Sequence, residues 1–214
     1  MNDNSSQVSS KPVRELRSLP LALTLNPVST LRSQLSVDIR GWRLPLRYLG
    51  VMLLLYITVR VLTGYDPLEN AVRISGEPLS QTPGIKTIKR AGYFLTRHFW
   101  TLLPIYAILV GTTCRVFFTT RLIGQRKWWK ICLLLVGQML FFCTLTIPLT
   151  YLSHYFYFLP FILEVIYLIP IISMLSGDKR PLNLIKGFFA LIIGHGIYAL
   201  AVWGGAIGFI SLTT

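Results

Sequence analysis

One carboxylate stands apart in the longest charge-free part of this chain. No charged residue follows Lys130 until Glu164, and none follows Glu164 until Asp178. A charge at the centre of a spanning helix costs at least about 2.5–3.5 kcal/mol, so this acid is expected to be protonated, paired or open to a cavity. Pro160 and Pro170 flank it. Each lacks an N–H and frees a carbonyl about one turn earlier, a helix break tolerated where protein or water satisfies the freed group. His195, within Gly194-His195-Gly196, is the matching ionisable group in the last apolar run. Together, Glu164 and His195 could share one proton in place of two separate buried ionisations. The residue types leave three roles open: a hydrogen bond pinning two helices, proton or ion handling, or a ligand site.

Other chemistry is weakly signalled. His98, His154 and His195 show no His-x-x-x-His spacing, no Glu-x-x-His pair occurs, and their expected depths differ, so neither a metal nor a cofactor is expected. Cys114, Cys132 and Cys143 lie in or at apolar runs and form no disulfide framework. There is no phosphate-cradling glycine loop, no nucleophile elbow and hence no expected catalytic residue.

The elements that must position Glu164 and His195 follow from composition. Of 214 residues, 53% are hydrophobic and 14% charged, with 21 Lys+Arg against 8 Asp+Glu. That balance excludes an ordinary soluble domain, a disordered chain and a disulfide-stapled secreted domain. The basic residues cluster between long uncharged runs, which points to a bilayer and away from nucleic acid. A hydrocarbon core of roughly 30 Å takes about 20 apolar residues. Five stretches qualify: 46–62, 98–118, 131–152, 155–175 and 187–212. LLLVGQMLFF and ALIIGHGIYALAV read as apolar on all sides, which excludes the alternation of a β-barrel. The expected fold is all-α, a polytopic membrane protein with five transmembrane helices and an N-terminal amphipathic interfacial helix.

Orientation follows from Lys and Arg near the spans. Basic residues before span one (Arg32, Arg40, Arg43, Arg47), between spans two and three (Arg121, Arg126, Lys127, Lys130) and before span five (Lys179, Arg180, Lys186) fall on one side, which is then cytoplasmic. The Ser153–His154 connection and the C-terminus carry none, as a periplasmic face should. Arg73, Lys86, Lys89, Arg90 and Arg97, between spans one and two, pull the other way. With the N-terminus inside, a helix rise of about 1.5 Å per residue puts Glu164 and His195 within roughly 5 Å of one depth.

Residues 1–25 are expected to form a disordered cytoplasmic tail, polar at least to Ser18. From Asn26-Pro27 a helix over 26–45 is expected, with Val28, Leu31, Leu35, Ile39 and Trp42 on one stripe. Either that stripe lies in the interface, with Arg32, Arg40 and Arg43 toward anionic head groups, or it packs on the bundle. A second interfacial helix is expected through Ile85, Ile88, Gly92, Leu95 and Phe99, after an irregular stretch to about Gly84. Arg60 and Arg115 are expected to snorkel to the interfaces. In span five Gly187, Gly194, Ala201 and Gly208 recur every seven residues, with Ala190 and Gly204 between them. Such a face lets helices approach closely, more simply within the bundle than across a homo-oligomer seam. Trp100, Trp128, Trp129, Trp203, Tyr48 and Tyr106 are among the aromatics expected in the interfacial belts.

The layout resembles the Yip family of small membrane proteins: a cytoplasmic N-terminal segment, five closely spaced hydrophobic helices and almost no C-terminal tail. Asn26, Leu31, Gly41, Arg43, Pro45 and Tyr48-Leu49 also look like the lead-in to the first span in a related group of uncharacterised bacterial membrane proteins. Leu103-Pro104-Ile105-Tyr106-Ala107 is similar to the proline-and-alanine turn of their second span. Several of those proteins carry an N-terminal Cys-rich zinc-binding segment, whereas this chain has no cysteine before Cys114. The resemblance implies a membrane organiser or transport-related factor and carries over no catalytic residue.

Three readings follow. The first is a non-enzymatic protein of a bacterial inner membrane that contacts lipids, anionic ones included, and other membrane proteins. The second is a small transporter or ion-conducting protein, oligomeric, with Glu164 at its midplane. The third is a membrane-bound enzyme using Glu164 and His195 as acid and base.

Overall fold

The computed structural model describes residues 18–36, 42–66, 83–118, 124–153, 155–156, 159–175 and 181–213. Among the described residues there are eight α-helices and no strand: α1 (Leu19–Leu25), α2 (Pro27–Ser36), α3 (Arg43–Thr63), α4 (Pro83–Arg97), α5 (Phe99–Phe118), α6 (Gln125–Leu152), α7 (Leu159–Leu175) and α8 (Pro181–Thr213). Three of them, α3, α6 and α8, are long and apolar enough to cross a bilayer, while Leu102–Phe118 and Ile162–Ile171 are shorter apolar stretches.

Proline marks several helix starts. Pro20, Pro27, Pro83, Pro160 and Pro181 stand in first turns, where a missing N–H leaves no acceptor orphaned. This corrects the expectation for Pro160, which opens α7 and breaks nothing. Pro170 does lie inside α7, as Pro104 does in α5 and Pro148 in α6. At its other end α3 stops at Gly64, whose φ of 65° turns its N–H back to the Arg60 and Val61 carbonyls. Arg60 donates from Nε to the Tyr65 carbonyl at 3.2 Å, just past the end of α3.

The core gathers around α6. Its apolar window is 72% buried, against 17% in α3 and 28% in α8, and α1, α3, α5 and α7 pack on it. Tyr48 of α3 donates to Gln138 at 2.5 Å, and Tyr151 donates to the Thr63 carbonyl at 2.5 Å. The contacts advance together along both helices, so α3 and α6 run parallel. A Cβ placed on Gly137 would lie 2.7 Å from the Tyr48 ring and 3.5 Å from the Leu49 Cα, so the missing side chain is what lets α3 seat. Gln138 also donates to Thr24 Oγ1 at 2.8 Å, and Tyr167 donates to the Leu23 carbonyl at 2.7 Å.

Those last contacts draw the start of the chain into the bundle. Residues 19–25, expected within a disordered tail, form a helix with Leu19 and Leu23 fully buried; residues 1–17 lie outside the described residues. The run is too short to register as a span, and its burial comes from partners distant in sequence. Helix α2 starts at Asn26-Pro27, but it buries Thr30, Ser33 and Gln34 beside Leu31 while packing on α1 and α7. A contact face that is half polar suits protein better than acyl chains. Ile39 and Arg40 lie outside the described residues; Trp42 is exposed at the start of α3, with the Lys130 ammonium 5.9 Å from its ring centre.

The other half of the molecule is built on α8. Phe118 lies by Gly187, Val110 by Gly194 and Tyr106 by His195, so α5 and α8 are antiparallel. Helix α4 continues that line: Ala91 and Leu95 pack with Val202, Ala206 and Ile210, and the Phe94 and Phe209 rings lie 5.6 Å apart. A helix of 33 residues extends about 50 Å, long enough to support both. The amphipathic segment expected to lie in the interface therefore covers the far half of α8. Its Ile88 is exposed, and the contact face is centred on Ala91 and Leu95.

The small-residue stripe of α8 splits. A Cβ on Gly187 would stand 3.2 Å from both Ile169 and Phe118 side-chain atoms, one on Gly194 would stand 3.2 Å from the Val110 Cα, and Ala190 is fully buried. Ala201, Gly204 and Gly208 are exposed, and Gly204 and Gly208 have nothing within 4 Å of an added Cβ, so among the described residues this half of the stripe lacks the packing expected within the bundle. Two belt assignments change as well. Tyr48 and Trp128 are core residues, the latter donating from Nε1 to the Gly111 carbonyl at 3.1 Å. Arg115 is half-buried, and its Nη1 is buried without a hydrogen-bond partner among the described residues, which is not a snorkelled position.

Gly137→Ala should force Tyr48 off its seat and lower stability by about 1–3 kcal/mol, the range for overpacking a close contact. Thermal unfolding in detergent measures this, and an unchanged midpoint would show that the α3–α6 contact is not tight.

Candidate functional site

Three helices bring one polar group each to a single point. Glu164 comes from α7, five residues after Leu159; His195 from the middle of α8; and Tyr106 from α5, just after Pro104. The Glu164 Oε1 and His195 Nε2 atoms are 3.3 Å apart, and the side chains are 13% and 24% exposed, so both are largely removed from solvent. The Tyr106 hydroxyl donates to Glu164 Oε1 and lies 3.2 Å from His195 Nε2. The Tyr106 ring meets those of His195 and Tyr198 edge-on, with centroids 5.4 Å and 5.2 Å away.

The proton inventory follows from these contacts. His195 Nδ1 is 2.7 Å from the Leu191 carbonyl, which can only accept, so Nδ1 carries a hydrogen. Nε2 is then left facing Glu164. Either Glu164 is protonated and donates to a neutral imidazole, or the imidazolium donates to a carboxylate. Both forms carry the same number of protons and the same net charge, and a proton moves between them without adding charge to the site. Tyr106 holds the carboxyl oxygen in either form. The group as a whole can therefore be neutral, which removes most of the penalty an isolated carboxylate meets in an apolar surround.

The sequence pairs Glu164 with His195 by depth, and the structure adds the lateral contact. Tyr106 is the residue that sequence reasoning missed, since it was counted among belt aromatics. Its position beside Pro104, well inside an apolar run, was the available signal. Gln138 was missed in the same way, as the one amide in a stretch read as apolar throughout. It is fully buried, and its bonds join α1, α3 and α6. A cavity of about 260 Å³ lies beside the Glu164 group, between α7 and α8, with His195 at its wall and Ile162, Ile166, Leu191 and Ile192 around it. Pro170 is in α7 one and a half turns beyond Glu164 and lines a different space.

The remaining candidates are scattered. His98 is half-buried and packs on Phe94 with ring centroids 4.7 Å apart and planes tilted by 48°, while His154 lies outside the described residues. Cys114, Cys132 and Cys143 are free thiols. Among the described residues no group of three His, Cys, Asp or Glu side chains is placed to hold a metal ion. Arg32 is exposed on α2 and Arg43 exposed in the first turn of α3; Arg40 lies outside the described residues.

Comparison with protein-family models, with curated proteins and with solved structures finds no match for this chain.

Proposed function

We propose that this is a non-enzymatic protein of a bacterial inner membrane that crosses the bilayer five times and acts by contacting lipids and other membrane components. In this reading α5 and α7 cross with α3, α6 and α8, the N-terminus is cytoplasmic and the C-terminus periplasmic. The parallel α3–α6 pair and the antiparallel α5–α8 and α7–α8 contacts fit that alternation. The Yip-like layout belongs to the same proposal.

The observation that carries it is a contrast between interior and surface. Glu164, His195 and Gln138 find their partners within the chain. The outer faces carry unpartnered apolar side chains, among them Leu54 and Leu62 on α3 and Leu200 and Leu212 on α8, together with open Gly204 and Gly208. Pairing of Glu164, His195 and Gln138 inside, with large apolar exteriors, suits a molecule that works through its surfaces. Reporter fusions at the two ends should give opposite signals, cytoplasmic at the N-terminus and periplasmic at the C-terminus; the same compartment for both would exclude five crossings. Replacing Arg40 and Arg43 by Ala should reduce cross-linking to neighbouring membrane proteins several-fold, because each cation near an anionic surface is worth about 1 kcal/mol. Unchanged cross-linking would remove the organiser reading.

A second reading, a small transporter or ion-conducting protein, is favoured by one observation: the Glu164–His195–Tyr106 group can shift a proton without changing its charge, and it borders a cavity. Glu164→Gln keeps the acceptor for Tyr106 and loses the titrating proton. If the first reading holds, proton flux into vesicles containing the variant equals that of the wild type. Loss of flux from a folded variant would establish the second.

A further inference from the structure

We propose that the cleft between the α1–α2 pair and α7 is a binding site for one anionic phospholipid, with its phosphate at Arg32 and an acyl chain along α7. The cleft encloses about 890 Å³, within the range of sites that hold small molecules. Its lining is divided by chemistry. Asn26, Ser29 and Arg32 come from the α1–α2 pair, and Leu163, Ile166 and Ile171 come from α7. Among the described residues that line it, none is acidic.

Depth supports the same occupant. Thr24 is bonded to Gln138, which stands eight residues past Lys130 on α6, so the end of α1 reaches about 12 Å beyond the level of that lysine. The α1–α2 pair thus brings polar groups alongside a spanning bundle, with α1 packed on α6 and α2 on α7. A polar wall carrying the Arg32 cation and facing an apolar wall at that level matches an amphiphile. The excess of 21 basic over 8 acidic residues selects an anionic head group over a neutral one. The proposal rests on the membrane reading above and goes beyond it by giving the lipid a fixed place.

Delipidated full-length protein in detergent, titrated with phosphatidylglycerol or phosphatidylcholine and read by native mass spectrometry, tests it. The wild type should retain one phosphatidylglycerol about five-fold better than phosphatidylcholine, the effect of one cation on an anionic lipid. Arg32→Gln should abolish the preference and Arg32→Lys should keep it. Leu163→Trp, which narrows the cleft, should reduce retention of both lipids. Arg126→Gln, at an exposed arginine away from the cleft, should behave as wild type. Equal retention of the two lipids, an equal loss in Arg126→Gln, or displacement by inorganic phosphate would overturn the proposal, the last by showing a free-anion site. Because the partner contacts proposed above are tested at Arg40 and Arg43, cross-linking that survives alongside lost lipid preference would sink this site and leave the broader reading standing.

Discussion

Gln138 is fully buried and makes hydrogen bonds in two directions, to Tyr48 and to Thr24. An amide in an apolar interior must find such partners, since leaving it unpaired costs about 1–3 kcal/mol. The satisfied amide therefore fixes more than its own position. It sets the height of α3 against α6, where Gly137 has already removed the side chain that would hold them apart. It also draws α1 to the bundle, and through the Tyr167–Leu23 bond α7 is joined to the same assembly.

A second polar point organises the other side. Tyr106, Glu164 and His195 join α5, α7 and α8, so α7 is common to both networks. Close approach does the remaining work. At Gly194 the backbone of α8 comes within side-chain distance of α5, and at Gly187 it meets α7 and the end of α5. In a lipid surround, where apolar side chains gain little by leaving one hydrocarbon phase for another, these polar bonds and small-residue contacts are the terms that select one arrangement of helices.

The surface follows from the same logic. The faces of α3 and α8 that take no part in either network keep their leucines, valines and isoleucines outward. The basic residues collect at chain segments between the apolar runs. Apolar faces of that kind suit a lipid surround.

The sequence by itself determined the all-helical character, the apolar stretches and the isolation of Glu164 and His195, because these depend on local composition and on rise per residue. It also placed the two ionisable groups at one depth, which is a one-dimensional property. Which helices lie side by side is a lateral question, settled only in three dimensions: Tyr106 completes the Glu164 group, Gln138 joins three helices, α4 lies along α8, and residues 19–25 are a helix that buries Leu19 and Leu23. The stripe on α8 shows why. Gly187, Gly194, Ala201 and Gly208 repeat with one period, yet two of them meet neighbours and two do not, since periodicity specifies a face of a helix and the neighbour that meets it is set by the rest of the chain.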